Sequence, residues 1–580
     1  AESLPPYMVP SRFVEMDALP LTPNEKVDKN RLPDPDWSDR DAVALDAGSD
    51  YVAPRTPLEE ALAHVFCEIL GLERVSVQDN FFALGGHSLA ASRLISLVRK
   101  KMDVSLPVSC LYDRSSVEGL ADMISNMRAG TASSALKPGA ASTHGLIHSD
   151  MTLRDELRSL CSSADLSPSH ATVPPDGTVF LTGATGFLGA FLLAELVMET
   201  RMRIVCLVRA RNAEDGMGRL RRNLSEYGLL SDLPDSTLAA RVVAVCGDMG
   251  LPRLGLDQAD WDRLGKEADV IIHNGSFVNF IMPYEGAMRE ANVKGTAEVI
   301  KLAVLTRAKP VHYVSTLSVF PPDKVSCRTD TSCYSESVGI ADPAALQGGY
   351  AQTKWVAEYL LNGVADVGLK AVVYRLGRVG GSSATGATAL GDFLFVFLRG
   401  CCAMGTFPRL SWLFNLIPVN EVARAVRAVA LLPEGKFEWD IRQPFVTAVA
   451  AAQQSPVPTT APTVPVSCTT FHLIQHTAPP LEEFFAVIKS KVPDKAGLEG
   501  RPYDQWLTEF YKCIDASKTN PLLPFAPVFS PDLDTLREPT FMCERSAAVL
   551  SRQCDVHFSS MDASLMALYC DWLHASSFFA

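Results

Sequence analysis

A short apolar strand, TVFLTG, runs directly into GATGFLG and then into a helical stretch rich in Leu and Ala. Gly183, Gly186 and Gly189 give that turn a GxxGxxG spacing. A strand, a glycine turn and a helix in this order constrain the fold strongly. The glycines allow a tight turn and let backbone amides at a helix N-terminus approach a pyrophosphate. RIVCLVRA, ARVVAVCGD, DVIIHNG, VHYVST and AVVYRLG continue the strand series, with helical stretches between them. The alternation predicts an α/β, Rossmann-type doubly wound parallel sheet that gathers ligands at its strands' carboxyl ends.

The chain has 580 residues, enough for several domains. Residues 1–37 are Pro-rich, and 38–50 are small and acidic, as in a linker. Residues 51–125 form a separate helical domain. There Thr56-Pro57-Leu58-Glu59 fits a capping box, and Leu58, Leu62, Val65, Phe66 and Ile69 recur at helical spacing. Residues 126–170, rich in Ala, Ser and Gly, are expected to be a flexible linker. The nucleotide-binding core is assigned to 171–435. Residues 436–580 are expected to hold a disordered insertion at 446–470 and a mainly helical subdomain that lids the substrate.

Composition excludes several classes. A net charge of −13 argues against a nucleic-acid partner. Fourteen cysteines without a CxxC pair or repeated spacing point to no metal site and to buried thiols in a reducing, cytoplasmic setting. No apolar run is long enough for a membrane span, and the first residues do not read as a signal peptide.

Three groups of residues carry chemistry. Arg209 ends the second strand, about 20 residues beyond Gly189, where an NAD site places an acid. An arginine fork there suits the 2′-phosphate of NADP, and Arg219 could add a contact; a solvated surface arginine is the bland reading. Asp248 and Asn274, Gly275 and Ser276 end later strands and should line the same groove. Tyr350 and Lys354 form YxxxK on one helix face, where an ammonium lowers a phenol's pKa and readies it to protonate a carbonyl oxygen. Thr316, at the end of YVST, can hydrogen-bond the same oxygen, with Ser315 as its competitor. Ser88, in DNFFALGGHSL, follows two glycines at a helix N-terminus. It either caps that helix or carries a phosphodiester there.

TGATGFLG, HNGSFVNF, YVSTLSVFP, YAQTKWVAE and YRLGRVGG resemble the extended short-chain dehydrogenase/reductases. More narrowly they resemble the terminal thioester reductase domains of nonribosomal peptide synthetases, alpha-aminoadipate reductases and carboxylic acid reductases, strongly over 176–435 and loosely over 470–580. The resemblance implies Thr316, Tyr350 and Lys354 as catalytic residues. It implies NADPH contacts at Thr182, Gly183, Thr185, Gly186, Phe187, Leu188, Gly189, Arg209, Arg219, Asp248, Met249, Asn274, Gly275 and Ser276, as well as at Tyr350 and Lys354. Residues 54–124 resemble peptidyl carrier domains, small four-helix bundles that bear 4'-phosphopantetheine on the serine matching Ser88. Residues 4–32 resemble the end of an adenylation domain. Lys26 matches its active-site lysine, Glu25 stands where glycine is usual, and the missing adenylation core makes the chain read as a fragment. Asn420 departs from the family's aspartate.

The resemblance implies NADPH-dependent reductive release of a carrier-bound acyl or peptidyl thioester as an aldehyde, with a further step to the alcohol left open. The implied partners are upstream adenylation and condensation modules, a phosphopantetheinyl transferase and the carrier-bound substrate. Two rivals stand beside it. One is a nucleotide-sugar epimerase or dehydratase, against which the carrier motif counts. The other is a scaffold with an active carrier and an inactive or non-redox release domain, against which Tyr350 and Lys354 count.

Overall fold

The structure is a computed structural model. It describes residues 51–128, 139–164, 173–432 and 463–579, except 82–83, 85, 87, 103, 105, 107–109, 112–113, 281, 325–332, 344–345, 347, 411–414, 466, 476–477, 517–518, 530–532, 534–535 and 538. The expectations for residues 1–50 and for 446–462 lie outside the described residues. The chain divides into two compact units, the second opening at Thr143.

In the first unit, α1 (Pro57–Leu70), α2 (Ser88–Met102) and α3 (Val117–Arg128) enclose a core that includes Leu62, Phe66, Phe81, Leu94, Leu120 and Ile124. Thr56 caps α1, its Oγ1 accepting from the Glu59 amide at 3.1 Å. The expected capping box forms only by half. Glu59 turns to Arg55, accepting from its amide at 2.6 Å and its guanidinium at 2.9 Å, and this holds the carboxyl below its usual range. Ser88 opens α2. Gly86 ahead of it is obligatory: a Cβ there would lie 2.4 Å from the Phe81 ring.

The second unit takes up α4 (Gly139–Met151) from Thr143 onward and continues with α5 (Leu153–Ser163). The core then runs β1 (Thr178–Thr182), α6 (Phe187–Glu199), β2 (Arg203–Val208), α7 (Ala213–Glu226), β3 (Val242–Cys246), β4 (Val270–His273), α8 (Gly295–Val304), β5 (Val311–Thr316), α9 (Gly349–Ala365), β6 (Ala371–Leu376), α10 (Phe393–Met404), α11 (Val419–Ala430) and β7 (Thr469–Leu473). All seven strands pair in parallel, in the order β7-β6-β5-β4-β1-β2-β3. β1, β4 and β6 are buried at every position, which is why they read as unbroken apolar runs. The strand order reverses between β1 and β4, so the crevice for a ligand opens there.

Two expectations are corrected. The expected linker, 126–170, contains α4 and α5, and both pack on the core through Ile147, Leu157 and Cys161. Asp150 is fully buried. It accepts from Arg289 at 2.6 and 2.8 Å, from the Tyr284 hydroxyl at 2.7 Å, and pairs with Lys294 at 3.0 Å. Arg154 stacks on Tyr359 at 4.7 Å and pairs with Asp366 at 2.8 Å. The small residues of α4 hid these anchors, because its stability is tertiary and not a matter of local propensity. The second correction concerns residues beyond 435. They supply β7, the sheet's edge strand, and Thr463–Pro465 pairs with Val338–Ile340, so part of the expected insertion is ordered sheet.

The remaining helices, α12 (Leu481–Lys491), α13 (Tyr503–Ala516), α14 (Glu544–Cys554) and α15 (Ala563–Ala575), form the expected helical C-terminal region. α15 reaches the loop beyond the carboxyl end of β6, where the Tyr569 hydroxyl donates to the Gly381 carbonyl at 2.7 Å. Asn420, at the position of the expected aspartate, is hydrogen-bonded to Ser383. Its Oδ1 accepts from the Ser383 amide at 2.9 Å, and its Nδ2 donates to the Ser383 hydroxyl at 3.1 Å.

No disulfide joins the described cysteines. Burial pushes the thiols of Cys206, Cys402, Cys543 and Cys570 up to about 12 and that of Cys161 up to about 11. Among the described residues no helix is long and apolar enough to cross a membrane.

Burial raises the Asp150 pKa, but hydrogen bonds from Arg289, Tyr284 and Lys294 outweigh it, so the carboxyl stays ionised below its usual range. Its stabilisation is present above the unfolded carboxyl pKa and is lost as pH falls through the folded one. Asp150→Ala should cost roughly 2–3 kcal/mol at neutral pH, since its cationic partners keep some access to water. A urea unfolding midpoint for the second unit measures this. The deficit should shrink in acid.

Candidate functional site

The three glycines of the turn after β1 differ in what they do. Gly183 has φ +74°, and a Cβ there would lie 2.7 Å from Gly275, so it lets β1 pass close to the end of β4. A Cβ on Gly189 would lie 2.0 Å from the Gly183 carbonyl oxygen, so this glycine lets α6 pack onto the turn. Gly186 is exposed, caps α6 from the backbone, and has no atom nearer than 3.4 Å to a built Cβ. Its open side and the free amides behind it fit a pyrophosphate. Two side-chain amides hold the loop, and one of them, Asn223, was missed in the sequence. Asn223 on α7 donates to the Ala184 and Gly186 carbonyls at 3.1 and 3.0 Å, and Asn274 donates to Gly183 at 3.2 Å.

The other expected dinucleotide contacts are placed as follows. Arg209 is exposed, and Arg219 donates to its carbonyl, so Arg219 braces the turn that presents Arg209. Thr185 lies in the loop. Phe187 packs against Phe191 and Tyr227 at 5.6 and 5.0 Å, and Leu188 packs on the core, so both meet a ligand only through backbone. Asp248 Oδ1 accepts from the Gly250 amide at 2.9 Å and shapes the turn after β3. Met249 packs over Gly275, its Sδ 2.2 Å from where a Cβ would be. The Thr182 side chain faces inward: its hydroxyl is fully buried, 2.7 Å from His273 Nδ1, and accepts from the Gly275 amide at 2.9 Å.

His273 continues this seam. Its Nε2 lies 3.1 Å from Thr296 Oγ1, which donates to the Asn292 carbonyl at 2.6 Å. Asn292 lies in a π-helical turn, Glu290–Lys294, that opens into α8. Its Oδ1 accepts from the Ser276 hydroxyl at 3.1 Å and the Phe277 amide at 2.7 Å, and its Nδ2 donates to Thr353 at 3.1 Å. One buried amide thus fixes Ser276 on one side and the start of α9 on the other. A lone Asn within ANVKGT was the only sequence signal for it.

A cleft of about 170 Å³ lies at the carboxyl ends of β4, β5 and β6. Asn274, Ser276, Thr316, Tyr350 and Lys354 line it, with Val278, Val314, Ser315, Leu376, Gly377 and Val379. The two candidate hydroxyls on β5 differ. Ser315 is buried and donates to Glu358 at 2.5 Å, and Glu358 is itself paired with buried Arg375 at 2.8 Å. Thr316 has a lighter partner, the exposed Ser318 at 3.2 Å. The expected effect of Lys354 on Tyr350 is absent from this state. Burial pushes the Tyr350 phenol up to about 12, and the group that pulls it down is Ser276. Lys354 donates to the Val314 carbonyl at 2.6 Å and sits 4.3 Å over the Tyr313 ring. Burial lowers its ammonium to about 7, with Glu358 acting the other way. No cluster of metal ligands occurs among the described residues.

A glycine-cradled anion site at the switch point, with a phenol and a lysine beside it, defines a nucleotide-dependent oxidoreductase on a doubly wound sheet. Comparison with known proteins narrows this. Residues 181–426 match the NAD-binding family described as male sterility protein, and residues 60–124 match the phosphopantetheine attachment site family. A linear gramicidin synthase polypeptide of Brevibacillus parabrevis is 32% identical over 99% of this chain and 10% of its own length. L-2-aminoadipate reductase of Schizosaccharomyces pombe is 33% identical over 74% of this chain and 31% of its own. The chain therefore spans between a tenth and a third of the length of these two relatives. The terminal R domain of the myxalamid PKS-NRPS pathway is 33% identical and superposes with a TM-score of 0.58 over 73% of this chain and 98% of that domain. A thiolation-reductase di-domain from an archaeal synthetase, 19% identical, shares the fold with a TM-score of 0.62 over 92% of this chain. The chain belongs to the terminal reductase domains of nonribosomal peptide synthetases and their relatives, and it carries a phosphopantetheine carrier domain ahead of the reductase.

Gly186→Ala should fold as the parent does yet weaken dinucleotide affinity about tenfold, whereas Gly189→Ala should lose thermal stability outright. Melting curves and a nucleotide fluorescence titration separate the two. Because Lys354 binds its proton less tightly folded than unfolded, stability should rise with pH from about 7 towards 10, and Lys354→Met should remove that part of the slope.

Proposed function

We propose that this chain releases an acyl or peptidyl group, held as a thioester on 4'-phosphopantetheine at Ser88, by reducing it to an aldehyde with NADPH. The observation that carries the reading is the convergence of Ser276, Thr316, Tyr350 and Lys354 on one cleft at the sheet's switch-point edge.

Pantetheine on Ser88 supplies the reactive thioester linkage. NADPH on the glycine turn supplies a hydride to the acyl carbon. The loop amides around Gly186 hold its pyrophosphate, and Arg209 grips the 2′-phosphate, having no acidic partner among the described residues. Thr316 and Tyr350 donate hydrogen bonds to the thioester oxygen as negative charge gathers on it. Ser276, steadied by Asn292, bonds to the phenol and orients it. Lys354, held by the Val314 carbonyl and the Tyr313 ring, would orient the cofactor ribose. With hydride on the carbon and the Tyr350 proton on the oxygen, the hemithioacetal gives up that hydroxyl proton as the C–S bond breaks, and the sulfur takes up a proton and leaves as a thiol. Ser315 takes no part, because its hydroxyl is spent on Glu358.

Upstream adenylation and condensation modules load the carrier, and a phosphopantetheinyl transferase modifies Ser88. The cysteines, none in a disulfide among the described residues, suit a reducing compartment such as the cytoplasm.

A single-turnover assay on the acyl-loaded chain, with product identified by mass spectrometry, tests this. Aldehyde should appear with NADPH and much less with NADH. Tyr350→Phe should slow release by about 10²–10⁴-fold and Thr316→Ala by a smaller factor. Ser315→Ala should act through stability alone. Arg209→Ala should erase most of the preference for NADPH. Unchanged release by Tyr350→Phe would overturn the mechanism.

A further inference from the structure

The mouth of the cleft carries an apolar surface that the reduction itself does not require. Val278 and Phe280 are 56% and 53% exposed. They flank Asn279, whose side chain is turned back to accept from the Met282 amide at 2.9 Å. The Phe280 ring meets Tyr350 edge-on at 5.7 Å and Phe393, at the start of α10, at 6.5 Å. Val278 lines the cleft directly, and Leu376 and Val379 line it from β6 and the segment beyond. Single exposed apolar residues are ordinary, but neighbours gathered around the reactive phenol mark a surface awaiting an apolar partner.

The charges point the same way. Among the lining residues the only cationic side chain is Lys354, whose ammonium is held by the Val314 carbonyl and the Tyr313 ring. Arg378, between the lining residues Gly377 and Val379, is exposed, and its charge acts on Asp392, the residue before Phe393, so it already faces a carboxylate. Among the described residues an acidic acyl group would therefore lose water at this mouth and meet no cation that does not already have a partner.

Resting on the reductase reading above, we infer that Val278, Phe280 and Phe393 form the subsite for the acyl group, and that the group it takes is apolar and uncharged. An aliphatic or aryl portion lies against the Phe280 ring with the thioester carbonyl directed to Tyr350. A dicarboxylic acyl group of equal length is refused.

The test uses the full chain with NADPH and two pantetheine thioesters matched in length, hexanoyl and adipoyl, adding phenylacetyl as an aryl probe. The hexanoyl thioester should exceed the adipoyl one in kcat/KM by about tenfold or more, and phenylacetyl should behave like hexanoyl. Phe280→Ala should lower the hexanoyl-to-adipoyl ratio severalfold, and Phe280→Lys should lower it further by raising the adipoyl rate. A ratio near one in the parent, or a ratio unmoved in both variants, would overturn the inference. Because the ratio is internal to each variant, partial loss of folded protein does not imitate the effect. Failure of the parent to reduce any thioester would remove the reductase reading, and the inference with it.

Discussion

The structure turns on a chain of hydrogen bonds across the seam between β1 and β4. Thr296 gives its proton to the Asn292 carbonyl, so it can only accept from His273 Nε2. His273 Nδ1 must then accept from Thr182, whose oxygen in turn takes the Gly275 amide proton. Each group has one role, and the imidazole is neutral throughout. Burial, together with the nearby Lys354 charge, lowers its pKa to about 3, so the arrangement holds across any physiological pH. This seam joins the glycine turn to the π-helical turn of Asn292, and through Ser276 and Thr353 to Tyr350 and Lys354. The glycine turn and the Tyr350 phenol are thus joined by one buried polar network whose named members all have partners.

That network explains how much could be read from residues alone. The strands were legible because a parallel sheet covered on both faces writes itself as apolar runs. The glycine turn was legible because three backbone constraints fall at fixed spacing. Tyr350 and Lys354 were legible because both lie on one short helical segment. The groups that position them were not. Asn292, Asn223, Tyr313 and Glu358 act across 15 to 61 residues of chain, and nothing local distinguishes a buried amide from an exposed one. The choice between Ser315 and Thr316 likewise depended on Glu358, a partner on another element.

The two corrected boundaries have the same origin. α4 and α5 look like a spacer, yet Asp150 and Arg154 fasten them to residues far along the chain. β7 follows a Pro- and Thr-rich stretch and was overshadowed by it, yet it completes the sheet beside β6. Buried His472 on this strand accepts from Arg375 at 3.3 Å and donates to the Met542 carbonyl at 2.8 Å, so the C-terminal region is tied to the ion pair that occupies Ser315. β7 and the segment around Met542 are therefore bonded into the sheet and not appended to it.

The distribution of cysteines acquires a meaning in a protein of this family. Thioesters exchange with thiols, and the attacking species is the thiolate. A chain with fourteen cysteines risks drawing an acyl group off its carrier and onto itself. Burial keeps Cys161, Cys206, Cys402, Cys543 and Cys570 protonated far above neutral pH. Those five thiols stay in the unreactive protonated form, so the packing that builds the core would also spare a carrier-bound acyl group, as proposed above, from attack by them.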